Sequence, residues 1–251
     1  MKKIAYILLL IFSIFYNQQL FAQFITTGVI LYEKKVNTKL QFKNQYHDKP
    51  DELRFLEYIP QQSISHFQLH FNEKVSFYEF IEHEKPKGNS FNFADYGIAN
   101  ENLVLRSLQT KEIKAKKKFV DAEVVLDYAL PSCQWKIEDE IRTIAGYPCR
   151  KAVTTIYDSL IIVAFYTDAI VPETGPESIG GLPGMILGLA IPKLYTTWFA
   201  TEVKLTTPLP EKLNYNIKGK TLSMQELDNQ VEKLQKRWGD YANNMLWQMK
   251  I

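Results

Sequence analysis

The stretch from Gly175 to Ile191, GPESIGGLPGMILGLAI, constrains this chain more than any other. Four glycines and two prolines fall within its first ten residues, and an apolar run follows. Leu182-Pro183-Gly184-Met185 has the chemistry of a type II turn: Pro183 presets φ at the second position, and Gly184 accepts the positive φ needed at the third. Gly180 and Gly181 leave the backbone bare, open to close approach by another segment or a ligand. Met185-Ile186-Leu187 then reads as a buried strand, with Gly188 as a bulge or a point of close contact. The pattern predicts a sheet folded about this turn.

Elsewhere the period of two dominates. Phe24 to Val36 is rich in β-branched and aromatic residues and reads as a first strand. Asn37 to Asp48 is polar without a clear period, and Pro50 to Glu57 is expected to open a short helix that Pro60 stops. From Ser63 to Glu82, Phe67, Leu69 and Phe71 share one face while His66, Gln68, His70 and Asn72 share the other. Asn72-Glu73-Lys74 turns that run into a hairpin. Glu84 to Asn100 reads as a loop carrying Phe91, Phe93 and Tyr96. Further strands are expected over 119–128, 134–141, 150–157, 160–167 and 195–205, with Asp158-Ser159 as a tight turn. In the tail, Ser223 and Glu226 form a capping box. Leu227, Val231, Leu234, Trp238, Tyr241 and Met245 then recur at helical spacing, predicting one helix of about six turns, weakened at Gly239.

The first 22 residues read as a cleaved secretory leader: Lys2 and Lys3 are its basic start, Ile4 to Tyr16 its apolar core, and Ala22 the small residue before the cut. Residues 23–251 are expected to form a single domain. Of the 30 basic residues two lie in the leader, so the remainder balance the 28 acidic ones, and such a chain has no global field to hold nucleic acid. No transmembrane segment is expected in the mature chain. Cys133 and Cys149 are the only cysteines. In an oxidising compartment they are expected to close a loop of about 15 residues, stabilising by roughly 3 kcal/mol. Two free thiols, with a reactive one at Cys149, are the alternative.

Chemistry-bearing patterns are sparse. His66 and His70 on a strand stand about 13 Å apart, too far to share one ion, so no metal is expected. There is no G-x-S-x-G elbow and no nucleotide loop, and no cofactor is implied. Ser178 sits in the glycine-rich stretch, where a triad with a distant His and Asp stays open. Glu138 and Glu140 alternate onto one strand face as a solvated edge. The five lysines of Lys111 to Lys118 read as a solvated loop or charge-guarded edge strand, with docking to anionic lipid as the alternative.

Several features fall in a specific order. Gly28 to Glu33 opens the mature chain; Trp135-Lys136-Ile137 and Ile144-Ala145-Gly146-Tyr147-Pro148-Cys149 follow. Phe165-Tyr166-Thr167, Ile170-Val171-Pro172, Gly175-Pro176 and Gly180-Gly181-Leu182-Pro183-Gly184-Met185-Ile186 complete the series. Together they resemble the GLPGLI family of exported bacterial proteins, with Met185 where the family name has Leu, a change that keeps volume and polarity. The likeness covers most of the mature chain and is strongest from Trp135 to Ile191. It implies a place in the envelope of Gram-negative bacteria, often beside TonB-dependent outer-membrane receptors, and brings no catalytic residues.

The expected fold is α+β and β-dominated, a curved antiparallel sheet covered by a long C-terminal helix. The expected function is non-enzymatic: a periplasmic or outer-membrane-associated protein binding a peptide, a lipid or an outer-membrane partner, with an accessory part in TonB-dependent transport as one form. A secreted, peptidase-like hydrolase with an unrecognised site is the alternative. The candidate binding residues are Gly175, Pro176, Gly180, Gly181, Leu182, Pro183 and Gly184, with Phe165, Tyr166 and Trp198 as apolar walls. A purely architectural role for the glycines is the competing account.

Overall fold

The structure is a computed structural model that describes residues 24–86, 98–119, 122–157 and 159–251. The expected leader at 1–22, the aromatic residues Phe91, Phe93 and Tyr96, and Asp158 lie outside them. Alternating residues build β1 (Gly28–Val36), β2 (Ser63–Phe71), β3 (Val75–His83), β4 (Leu103–Ser107), β5 (Glu112–Phe119) and β6 (Ala122–Ala129). They continue as β7 (Lys136–Ile144), β8 (Tyr147–Ile156), β9 (Leu160–Thr167), β10 (Met185–Ile191), β11 (Thr196–Lys204) and β12 (Lys220–Leu222). All twelve join one sheet in the order β12-β6-β5-β4-β3-β2-β1-β11-β10-β9-β8-β7. Every pairing is antiparallel except β12 with β6.

One face of this sheet is the core. On β1 the inward residues are Ile30, Tyr32 and Lys34, and register sets Leu69, Phe67 and Ser65 of β2 beside them. Strand phase alone therefore carries a lysine inside. The 17 residues between β9 and β10 hold the glycine-rich stretch, and they lie against that same face. The carbonyl of Ile179 accepts from Arg106 on β4, while the neighbouring Gly180 carbonyl accepts from Trp135, just before β7. In a flat sheet β4 and β7, eight steps apart in the order, would stand about 38 Å from each other. Two side chains cannot span that distance, so the sheet curls around the segment.

The turn differs from the expected type II form. The Gly184 N–H donates to Leu182 O at 2.7 Å, a three-residue turn centred on Pro183, while the Met185 N–H goes across to Ile170 O at 3.0 Å. Gly184 has φ of 138°, and a Cβ there would meet Thr167 O at 2.2 Å, which leaves no room for a side chain. Gly188 serves both expected purposes. The β10–β9 register shifts between Ile186 and Gly188, and a Cβ on Gly188 would crowd Ile144 and Phe199 at 2.9 Å.

The helices are α1 (Thr38–Gln45), α2 (Pro50–Leu53), α3 (Pro210–Leu213), α4 (Met224–Trp238) and α5 (Asp240–Lys250). α1 occupies the polar stretch in which no period was legible; the Asn37 side chain caps it by accepting from the Leu40 N–H. The capping box at Ser223 and Glu226 forms with both of its hydrogen bonds. The single long C-terminal helix does not: Gly239, at φ 56°, breaks it into α4 and α5. The pair covers only one end of the sheet, packing Leu227, Val231, Ala242 and Met245 on Phe119, Val124, Leu126 and Leu222.

Two further expectations are corrected. Lys111 to Lys118 is neither loop nor edge, because β5 lies between β4 and β6. Its Lys114, Lys116 and Lys118 point outward, whereas Lys117 is 1% exposed. The cysteines are unpaired. Register sets Cys149 opposite Arg142, while Cys133 lies before β7, three residues ahead of Lys136, whose partner is Val153. Each thiol instead donates locally, Cys133 to Pro131 O and Cys149 to Tyr147 O. Burial pushes the Cys149 thiol up to about 11, so it is unreactive rather than activated.

Two outcomes follow from this geometry. Alkylation of the unreduced chain in denaturant should label two thiols, and mass spectrometry finding none would restore the disulfide. Gly184→Val should lose at least about 3 kcal/mol of stability through steric clash and backbone strain, read as a lowered urea midpoint.

Candidate functional site

The site grows from inward-phase charges. β1 alternates Ile30-Tyr32-Lys34 inward, β4 alternates Val104-Arg106, and β5 alternates Ile113-Ala115-Lys117, so three cations enter the interior. Glu177, 1% exposed and at φ 56°, meets them from the glycine-rich segment. Its Oε1 lies 3.6 Å from Lys34 Nζ and its Oε2 lies 3.8 Å from Lys117 Nζ. Asn102 Nδ2 donates to Oε2 at 2.6 Å. Arg106 clamps the backbone on both sides, donating to the carbonyls of Glu177 and Ile179.

Each lysine is held differently. Lys34 Nζ sits 5.3 Å from the Trp198 ring centre and 5.6 Å from that of Phe67, and it donates to Ala99 O. Lys117 donates to main-chain oxygens of Gln248 and Ile251. Burial lowers both amines, and the charge of Glu177 draws them back up. For Lys117, with Lys34 also pushing it down, the balance falls at about 8.

Against this cluster lies a cavity of about 270 Å³. Lys34, Asn102, Glu177, Thr196 and Trp198 form its inner wall, and Phe42 and Tyr46 of the α1 region help close it. Beside it Asn102 Oδ1 is buried without a hydrogen bond, while Glu177 Oε1, also without one, faces the Lys34 ammonium.

Of the residues singled out from sequence, Trp198 alone lines this cavity. Phe165 and Tyr166 are buried in the core. Gly175, Pro176, Gly180, Leu182 and Gly184 are walled in, and Gly181 and Pro183 reach solvent. The glycines serve close approach: a Cβ on Gly180 would meet Arg106 Nη1 at 2.3 Å, and one on Gly175 would meet Ile186 Cβ at 2.6 Å. Lys34, Asn102, Arg106, Lys117 and Glu177 were missed. The signal for the three cations was present, as charges on the inward phase of strands.

Ser178 is buried, and its hydroxyl shares a 2.6 Å hydrogen bond with Tyr128. Burial pushes that phenol up to about 12, so Ser178 faces a neutral hydroxyl rather than an imidazole. The histidines lie elsewhere: His66 on Glu84, His83 on Ser65, and His70 on Glu79 beneath α3. Burial alone would raise the Glu79 carboxyl, but hydrogen bonds from His70, Lys212 and Gln68 outweigh it and hold it at about 2. Glu138 and Glu140 both pair with Lys151 on the exposed β7 edge. Among the described residues no three His, Cys, Asp or Glu side chains converge as metal ligands. No described helix is long and apolar enough to cross a membrane.

No protein-family model and no curated protein matches this sequence. Among solved structures the chain is similar to PNGF-II in two crystal forms. The P21 form gives a TM-score of 0.51 at 18% identity, covering 83% of this chain and 34% of that one. The C2 form gives 0.50 at 17%, covering 88% and 33%. The chain thus spans about one third of the PNGF-II chain, and the likeness is one of fold alone. An uncharacterized conserved protein from Thermus thermophilus gives 0.35 at 9% identity over 77% of this chain and 90% of that one, too distant to inform the site.

Lys117 gives the site a pH signature. Its ordinary value is 10.5, and the folded chain lowers it to about 8. Between these values the unfolded chain binds more protons, so stability should rise with pH, by at most about 1.4 kcal/mol per unit. Urea midpoints from pH 8 to 9.5 should climb in the native chain relative to Lys117→Met, and parallel curves would refute the lowered amine.

Proposed function

We propose that this is a non-enzymatic binding protein of the bacterial envelope, exported by its leader, that holds a small polar molecule in the cavity beside Lys34 and Glu177. The carrying observation is a cavity of about 270 Å³ set against the buried Lys34–Glu177 pair, with the neighbouring Asn102 Oδ1 left without a hydrogen bond. An unsatisfied buried acceptor costs about 1–3 kcal/mol, and a turn of the Asn102 amide toward a ligand donor removes that cost. At about 270 Å³ the space lies just below the usual range for small-molecule pockets. A lipid tail is poorly served by a wall bearing Lys34 and Glu177, and a folded peptide needs more room.

The resemblance to the GLPGLI family supports the envelope location and an accessory part in TonB-dependent uptake, in which the bound molecule is the cargo of a neighbouring receptor. The likeness to PNGF-II supports the fold only. The glycine-rich segment then acts indirectly, by delivering Glu177 to the cavity rather than by touching the ligand.

Native mass spectrometry of the full chain, exported by its own leader, tests the reading. The native protein should carry a small-molecule adduct, and Ser63→Trp should not. Ser63 lines the cavity at the start of β2, where an indole would fill the space. An adduct surviving Ser63→Trp, or a bare native protein whose melting temperature a periplasmic small-molecule extract leaves unmoved, would overturn it.

A further inference from the structure

We infer that the cavity takes a neutral, polyhydroxylated ligand of mono- or disaccharide size; this rests on the cavity being the binding site. Charge comes first. The wall already holds one cation and one anion in contact, Lys34 and Glu177, and Lys34 is further fixed between the rings of Phe67 and Trp198. An anionic ligand reaching Lys34 meets the Glu177 carboxylate, and a cationic ligand reaching Glu177 meets the two lysines. Breaking a buried pair is strongly unfavourable, so a charged guest has to disrupt what the fold has matched. A zwitterion sheds the hydration of two charges to face a pair that is already satisfied.

Hydrogen-bond inventory comes second. Asn102 Oδ1 is a buried acceptor without a hydrogen bond, held beside the ion pair by the bond from Asn102 Nδ2 to Glu177 Oε2. Around them Gln41, Gln45 and Gln248 line the same space, each amide offering two donors and an acceptor. A lining that mixes donors and acceptors suits groups that do both, which is the property of a hydroxyl. Vicinal hydroxyls can donate to Asn102 while accepting from the glutamine amides. The rings of Phe42 and Tyr46, with centroids 4.6 Å apart, supply an apolar surface for the C–H face of a pyranose.

Calorimetry and thermal shift on the full chain at neutral pH decide the matter. The probes are glucose, N-acetylglucosamine and maltose, set against glycine, alanyl-alanine and gluconate. At least one neutral sugar should give saturable heat and raise the melting temperature. Gln41→Ala should weaken it about tenfold, and Ser63→Trp should abolish it. Glycine, alanyl-alanine or gluconate saturating a site that Ser63→Trp blocks, with the sugars silent, would overturn the polyhydroxyl assignment and leave the binding cavity standing. Sugar binding that persists in Ser63→Trp would remove the cavity as its site. Silence from every probe would also overturn the assignment.

Discussion

A buried ammonium is tolerated only beside a partner, and Glu177 is the carboxylate that stands within 4 Å of both Lys34 and Lys117. That requirement links parts of the chain that are remote in sequence. β1 and β5 can carry lysines on their inward phase because the segment between β9 and β10 lies inside the curled sheet. The segment lies there because Arg106 holds its carbonyls and Trp135, Tyr128 and Ser76 hold its flanks. Glu177 adopts a left-handed backbone conformation to present its carboxylate, a strain of about 1–2 kcal/mol for an L-residue. The surrounding hydrogen bonds over-determine that conformation, which is the usual condition for such strain to persist.

Close approach is the other half of the arrangement. Gly175 lies against Ile186, Gly180 against Arg106, and Gly184 against the backbone at Thr167. In each case the missing Cβ is what lets the segment reach its neighbour. The glycines therefore bring main chain to side-chain donors, and the donors in turn fix Glu177. Neither the glycine-rich segment nor the inward lysines make physical sense without the other.

Much of the sheet was legible because it rests on period alone. The β2–β3 hairpin, the bounds of β9 and the capping box at Ser223 are local patterns, and all three form as read. β4 is five residues long and escaped notice, and α1 has too little apolar patterning to reveal itself. The break at Gly239 depends on a positive φ, which a smooth apolar stripe overrides on paper. Cys133 and Cys149 have a plausible loop spacing, but the register of β7 on β8 separates them, and register is a tertiary quantity. The site was less legible still. Trp198 was identified, whereas Lys34 and Lys117 were hidden inside charge-rich runs whose composition suggested solvent. Their phase, two residues on from Tyr32 and Ala115, pointed inward. Glu177 had no such signal, since nothing local sets the direction of a side chain in an irregular segment.

The charges are also informative for what they do not achieve. A buried ion pair replaced by well-packed apolar residues of similar volume is often as stable or more so, so Lys34 and Glu177 are weak contributors to folding. Only apolar residues at Lys34, Lys117 and Glu177 together would remove the need for matching, since Lys117 depends on the same carboxylate. A chain selected for stability alone has no use for an orphaned Asn102 oxygen beside a matched ion pair. Departures from good packing concentrate where a protein does its work. Orphaned polar atoms occur elsewhere too, on Tyr78 and Thr154 among others. Here, though, Asn102 of the β3–β4 connection and Glu177 of the glycine-rich segment share one cavity lining with Lys34 of β1, and the proposed binding role rests on that convergence.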